Sequence, residues 1–228
     1  MFRIIITPCQ TIADERIRAA CAFLFLSGMR ISAFLTMPIK AFDLETRTVK
    51  QWPSLGVHTK LSKKATTKLI NIPELFEIVR KWHDKVRVAL PPDGLWYAPL
   101  SPITGEIDPY AEVGEYRNAG FHKDLVTFLS KASIEYKSAH KFRHGHIRYL
   151  RDRATNVPHL EAIAKNAMQE TSTMMGYAEI GSSKSHEVID FLCGESSVQV
   201  CCDHNGKPDE ATIARVLWYL ANNHRTLL

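Results

Sequence analysis

The chain has 228 residues, 45% hydrophobic and 23% charged, with 29 Lys and Arg against 24 Asp and Glu and a formal net charge of +5. This balance suits a globular protein with a real core, excludes a chain too polar to fold, and leans toward a polyanionic partner. No apolar run reaches the roughly 18 residues that a membrane span needs. The opening Met1-Phe2-Arg3-Ile4-Ile5-Ile6 is too short for a signal peptide and no cleavage site follows it. A cytoplasmic protein without a membrane partner is expected.

The first predicted helix begins at Thr11, with Asp14 and Glu15 in its first turn, where they favour the positive end of the helix dipole. Ile17, Ala20, Cys21, Leu24 and Phe25 recur at helical spacing and Gly28 supplies a stop. A second helix is expected from Arg30 to Met37, ended by Pro38. From Thr46 to Ile72 the texture turns β-like, with runs at Thr48–Trp52, Val57–Thr59 and Lys68–Ile72. The basic stretch Lys60-Leu61-Ser62-Lys63-Lys64 falls between the last two. These predict a small three-stranded antiparallel sheet with a lysine-rich turn.

Pro73 opens the next helix, striped by Leu75, Ile78, Val79 and Trp82. Residues 91–118 read as a long connection. Helical patterns follow at 119–132, 140–153, 158–168 and 184–193. A polar interval, Gly194 to Pro208, precedes a last amphipathic helix at 209–224. The fold class is mainly α with a small three-stranded antiparallel sheet, divided into a unit at 1–193 and a linker with C-terminal helix at 194–228.

The five cysteines, Cys9, Cys21, Cys193, Cys201 and Cys202, are odd in number and follow no secretory signal, which argues against a disulfide framework. Cys193, Cys201, Cys202 and His204 cluster, but at no common zinc spacing, so reduced thiols and no metal are expected. Trp52, Trp82, Trp96 and Trp218 read as core or interface residues rather than stacking platforms.

Three segments carry candidate chemistry. Ser27-Gly28-Met29-Arg30-Ile31-Ser32 places an arginine at the junction of two helices. In Ser138-Ala139-His140-Lys141-Phe142-Arg143-His144-Gly145-His146, His140 and Arg143 lie one helical turn apart and can face one site. The third is Asn166-Ala167-Met168-Gln169, followed by Gly176-Tyr177-Ala178-Glu179-Ile180.

Taken in order, these segments resemble the boxes of the tyrosine recombinase or phage integrase family: "T-G-L-R-x-S-E-L", then "H-x-L-R-H", then "L-G-H" or "L-M-H", and finally a tyrosine. A basic hairpin with a lysine lies between the first two. The resemblance covers the chain to about residue 193. It implies a recombinase catalytic-domain fold and site-specific DNA recombination or integration, without metal or other cofactor.

Attack on a phosphodiester builds negative charge on the non-bridging oxygens, and fixed guanidinium groups bind such oxygens with paired planar hydrogen bonds. The resemblance gives that role to Arg30 and Arg143. His140 would bond the phosphate or help deprotonate the tyrosine, and Gln169 takes the place of the third box's histidine. A hairpin lysine would protonate the leaving 5′ oxygen, with Lys60 of Thr59-Lys60 the best match. Tyr177 would form a 3′-phosphotyrosyl link. Lys63, Lys64, His144 and His146 are expected to contact DNA. The implied partner is double-stranded DNA, bound as a homo-tetramer, with a monomer or dimer when free. The family's N-terminal clamp domain is expected to be missing, since the chain begins near the first catalytic helix.

The pattern departs from the family at two places. Gln169 can donate a hydrogen bond but cannot exchange a proton at neutral pH, and Ala33 stands where the first box has glutamate. A rival register aligns Gly176-Tyr177 with the family's "G-H" and leaves His186 at the nucleophile position. The Tyr177 register is preferred because Asn166 to Gln169 already supplies the preceding box. Two other functions stay open: a catalytically impaired, recombinase-derived DNA-binding protein, and relaxation of DNA in the manner of a type IB topoisomerase.

Overall fold

The computed structural model describes residues 2–111 and 117–169. Its helices are α1 (Phe2–Ile6), α2 (Ile12–Ser27), α3 (Ile31–Leu35), α4 (Pro73–Ala89), α5 (Arg117–Lys131), α6 (His140–Arg151) and α7 (Val157–Asn166), and its strands are β1 (Phe42–Asp43), β2 (Thr48–Gln51) and β3 (Ala65–Lys68). The strands form one antiparallel sheet in the order β1-β2-β3.

Helix α2 is the axis of the core. The Thr11 side chain caps its start by accepting from the Asp14 N–H, and beyond the charged first turn the helix is buried on nearly every side. Helices α4, α5 and α6 pack around it. An aromatic cluster fastens the remaining pieces to this axis. Phe23 of α2 meets Phe34 of α3 with ring centres 5.5 Å apart, Phe42 of β1 at 5.1 Å and Trp96 at 4.8 Å. Such tilted and edge-on pairs suit the aromatic quadrupole.

The Trp96 indole donates to Nδ1 of buried His83 at 3.2 Å, and Trp82 donates to the Trp96 carbonyl at 3.0 Å. Both tryptophans are core residues, as the sequence reading held. Trp52 behaves differently: half-buried, it lies under the ammonium of Lys64 at 4.0 Å and of Lys50 at 5.3 Å.

The sheet has the expected number of strands but not the expected segments. Val57–Thr59 is not a strand, and Lys68–Ile72 is not one either; the outer strands are Phe42–Asp43 and Ala65–Lys68. Gly56, Leu61 and Ser62 all take left-handed backbone conformations, with φ of 80°, 58° and 51°, so the chain on either side of Val57–Thr59 turns too sharply to run along β2. Beyond Lys68 the chain leaves the sheet for other partners: the Leu69 N–H donates to the Arg47 carbonyl at 2.8 Å and the Ile70 N–H to the Leu26 carbonyl at 2.9 Å. Helix α3 also stops short of Met37. As the residue before Pro38, Met37 is biased to extended backbone, and its carbonyl accepts from the Trp96 N–H at 3.0 Å.

Gly28 ends α2 in the left-handed region, φ 62°, with its N–H donating to the Leu24 carbonyl. A Cβ added there would lie 2.4 Å from Cδ2 of His146. Gly28→Ala therefore combines left-handed strain of about 1–2 kcal/mol with overpacking of about 1–3 kcal/mol. Chemical denaturation is expected to show a loss of about 2–5 kcal/mol with an unchanged m-value.

Candidate phosphate-binding site

The left-handed turn at Gly28 sets the direction of Arg30. That residue occupies the N-cap position of α3 in extended backbone (φ −74°, ψ 145°), so its side chain projects from the junction of two helices as expected. Its guanidinium donates to the Met168 carbonyl at 3.4 Å from Nη1 and 3.3 Å from Nη2. Arg143, on α6 and only 4% exposed, donates from Nη1 to the Gly28 carbonyl at 2.6 Å and from Nη2 to Oε1 of Gln169 at 3.4 Å. The first box therefore receives the second box's arginine, while its own arginine reaches the third. Arg30, Arg143 and Gln169 are brought together.

The third box is presented by the end of α7. Met168 is left-handed (φ 51°), the Met168 N–H donates to Lys165 O at 3.1 Å, and the Gln169 N–H donates to Ala164 O at 2.9 Å. This is the Schellman arrangement, built here on a methionine instead of the usual glycine. It turns the Met168 carbonyl to Arg30 and the Gln169 amide to Arg143. A left-handed non-glycine residue costs on the order of 1 kcal/mol, and nothing in the sequence of this segment announces it.

The three histidines of α6 have separate fates. His140 and His144 stand on the same side of the helix with ring centres 4.4 Å apart. His140 is drawn below its usual pKa by partial burial and by the nearby His144, Arg143, Arg30 and Lys141. His144 is lowered by partial burial, then by Lys141 and Arg143. Both imidazoles are therefore largely neutral at pH 7, and neutral His140 can accept a proton beside two guanidinium groups.

His146, expected to contact DNA, is buried instead. It is 0% exposed, its Nδ1 is 2.8 Å from the Phe25 carbonyl, and its ring fills the space left by the missing side chain of Gly28. Helical periodicity explains this correction, because residues 143 and 146 fall on the buried face of α6 together with Ile147.

Lys60, Lys63 and Lys64 are exposed on the connection from β2 to β3, Lys60 within a tight turn at Lys60–Ser62. The sheet that carries them is tied to α7. The Lys68 N–H donates to Asn166 Oδ1 at 2.7 Å, Asn166 Nδ2 donates to the Lys68 carbonyl at 3.0 Å, and the Thr67 hydroxyl donates to the Asn166 carbonyl at 2.9 Å. From the sequence alone, Asn166 reads only as part of a box. Ala33 is buried in the core, so no carboxylate occupies that position.

Tyr177, the rival His186, the cluster of Cys193, Cys201, Cys202 and His204, Trp218, and the segments at 184–193, 194–208 and 209–224 lie outside the described residues. No helix among the described residues is long and apolar enough to cross a membrane.

No family model matches the sequence, and no curated protein matches it. Solved structures do match, and they define the fold as that of the tyrosine recombinase catalytic domain. The XerA recombinase is similar with TM-score 0.55 and 16% identity over 84% of this chain and 60% of that one. The XerH site-specific recombinase, bound to its difH substrate in a pre-cleavage complex, gives 0.52 and 15% over 82% and 49%. The Tn1549 transposon integrase in complex with transposon right end DNA gives 0.54 and 14% over 84% and 63%. The chain thus spans about half to two-thirds of the length of these proteins.

Burial pushes the His146 pKa down to about 4, partly offset by its bond to Phe25 O, with Arg143 lowering it further. With Nδ1–H donating to that carbonyl, protonation would fall on Nε2, which is buried without a partner. The unfolded imidazole titrates near 6.5, so stability is full above pH 6.5 and is lost as pH falls toward 4. The loss approaches about 3 kcal/mol. Urea midpoints measured across this window are expected to fall steeply for the wild-type chain and less steeply for His146→Gln.

Proposed function

We propose that this chain is the catalytic part of a site-specific DNA recombinase that cuts and rejoins strands through a 3′-phosphotyrosyl intermediate. The observation that carries the reading is the meeting of Arg30 and Arg143, residues far apart in sequence, with His140 one helical turn from Arg143. Two guanidinium groups held on carbonyl and amide oxygens suit a partner with several anionic oxygens. The 3.3 and 3.4 Å bonds of Arg30 to Met168 O are long ones that a phosphate would readily replace.

In the proposed reaction the phenolic oxygen of Tyr177 attacks the scissile phosphorus and the bond from phosphorus to the 5′ oxygen breaks. Neutral His140 takes the phenolic proton, and a lysine of the β2–β3 connection, Lys60 first among Lys60, Lys63 and Lys64, donates a proton to the leaving oxygen. Arg30 and Arg143 hold the non-bridging oxygens as charge builds on them, and Gln169 adds a hydrogen bond. Lys63, Lys64 and residues of α6 such as His144 contact the DNA backbone, and four protomers act on two duplexes.

A suicide substrate carrying the protein's own site tests this. The natural protein is expected to yield a DNA adduct that resists SDS, and Tyr177→Phe is expected to yield none. Arg143→Ala should slow adduct formation by about 10²–10³-fold, the usual effect of removing one donor from a site of developing charge. The rate should hold from neutral pH down to about 6.5 and fall below it, because protonation of His140 removes the base while its pKa lies below 6.5.

Gln169 favours a second reading. It cannot shuttle a proton, and its amide oxygen engages Arg143. A protein that binds its site but forms no adduct would be the impaired, DNA-binding relative. Relaxation of supercoiled plasmid lacking the site would instead favour topoisomerase chemistry.

A further inference from the structure

We propose that Asn166 is a positioning residue: its side chain locks the open edge of the sheet and thereby aims the lysine-bearing connection at the arginine pair. The inference rests on the cleavage reading above and adds to it a residue that touches neither DNA nor the reacting atoms.

Strand β3 is an edge strand, since the sheet order is β1-β2-β3. Such an edge leaves backbone donors and acceptors without a ladder partner. At Lys68 both are taken by one side chain: Asn166 Oδ1 accepts from the Lys68 N–H at 2.7 Å while Nδ2 donates to the Lys68 carbonyl at 3.0 Å. A primary amide has one acceptor and one donor group at the spacing of a backbone amide, so it can serve as one more rung of the sheet.

A second bond continues inward. The Asn166 carbonyl accepts from the Thr67 hydroxyl at 2.9 Å, and that hydroxyl accepts from Nε2 of buried Gln51 at 2.6 Å. Gln51 pairs with Ala65 at the end of the sheet where the chain enters and leaves the lysine-bearing connection. One residue therefore grips the edge of β3 and, through Thr67, the last rung before Lys64.

The other side of Asn166 leads directly to the site. Two residues on, the Met168 carbonyl receives Arg30; three residues on, the Gln169 amide receives Arg143. The left-handed turn at Met168 makes this short segment a fixed bracket instead of a loose tail. The sheet with its lysines and the pair of arginines are both mounted on the last turn of α7. Exposed hydrogen bonds of this kind contribute only modestly to stability. Their larger effect is geometric, since a misplacement of about 1 Å can cost about 10²-fold in rate.

The test separates aim from general damage. A DNA substrate with sulfur in place of the leaving 5′ oxygen expels a thiolate, which needs no proton from a lysine. Asn166→Ala is expected to slow cleavage of ordinary DNA by about 10²-fold, while on the sulfur-substituted strand it stays within a few-fold of wild type. Thr67→Val, which keeps the size but removes the hydroxyl, should show the same split and serves if Asn166→Ala does not fold.

Equal losses on both substrates, or no loss on either, would overturn the inference. Amide hydrogen exchange gives a readout independent of cleavage: the Lys68 amide should be protected in the wild type and exchange faster in Asn166→Ala, and unchanged exchange would overturn the anchor itself. If the wild type cleaves neither substrate, the cleavage reading is what has failed.

Discussion

The bond from Arg143 to the Gly28 carbonyl, 2.6 Å long and buried, joins parts of the chain 115 residues apart. It accounts for much of the local design. The carbonyl is available because Gly28 ends α2 in the left-handed region, and the same glycine leaves room for the His146 ring beneath it. Arg143 and His146, one turn apart on α6, thus press on one glycine, one by hydrogen bond and one by contact. Arg30 starts two residues later, so its position inherits whatever fixes Gly28.

The guanidinium groups of Arg30 and Arg143 are both held on oxygen. The Gly28 and Met168 carbonyls and the Gln169 amide supply the partial negative charge that keeps the pair in place. The surplus still shows, because the nearby His140 is held below its usual pKa in part by Arg143 and Arg30. Such a site gains most from an anion that presents several oxygens at once.

Outside the site, order is kept mainly by apolar packing with a few buried polar bonds. Arg16 of α2 is shared between the Ala98 carbonyl at 2.6 Å and Asp124 of α5 at 2.7 Å, and its guanidinium lies 4.4 Å over the Tyr97 ring. The Tyr97 hydroxyl donates to the same Asp124. Truncating Arg16 would leave a partly buried carboxylate without its cation, a costlier change than the net value of the pair suggests. These contacts hold the long connection after α4 against the core.

Local physics made much of this legible in the sequence. Thr11 and Gly28 announced the ends of α2 because a cap and a left-handed turn are chemistry within one helical turn. The spacing of His140 and Arg143 announced a shared face for the same reason, and the ordered boxes announced the fold. The tertiary structure decided what depends on distant partners. Val57–Thr59 has strand-like residues, yet strand pairing went to Phe42–Asp43 and Ala65–Lys68, where turns and rungs allowed it. His146 looked like its neighbour His144 until packing placed it under Gly28. Asn166 could be read only as part of a motif, because its partner Lys68 lies 98 residues away and is recognised through backbone atoms, which carry no mark of residue type.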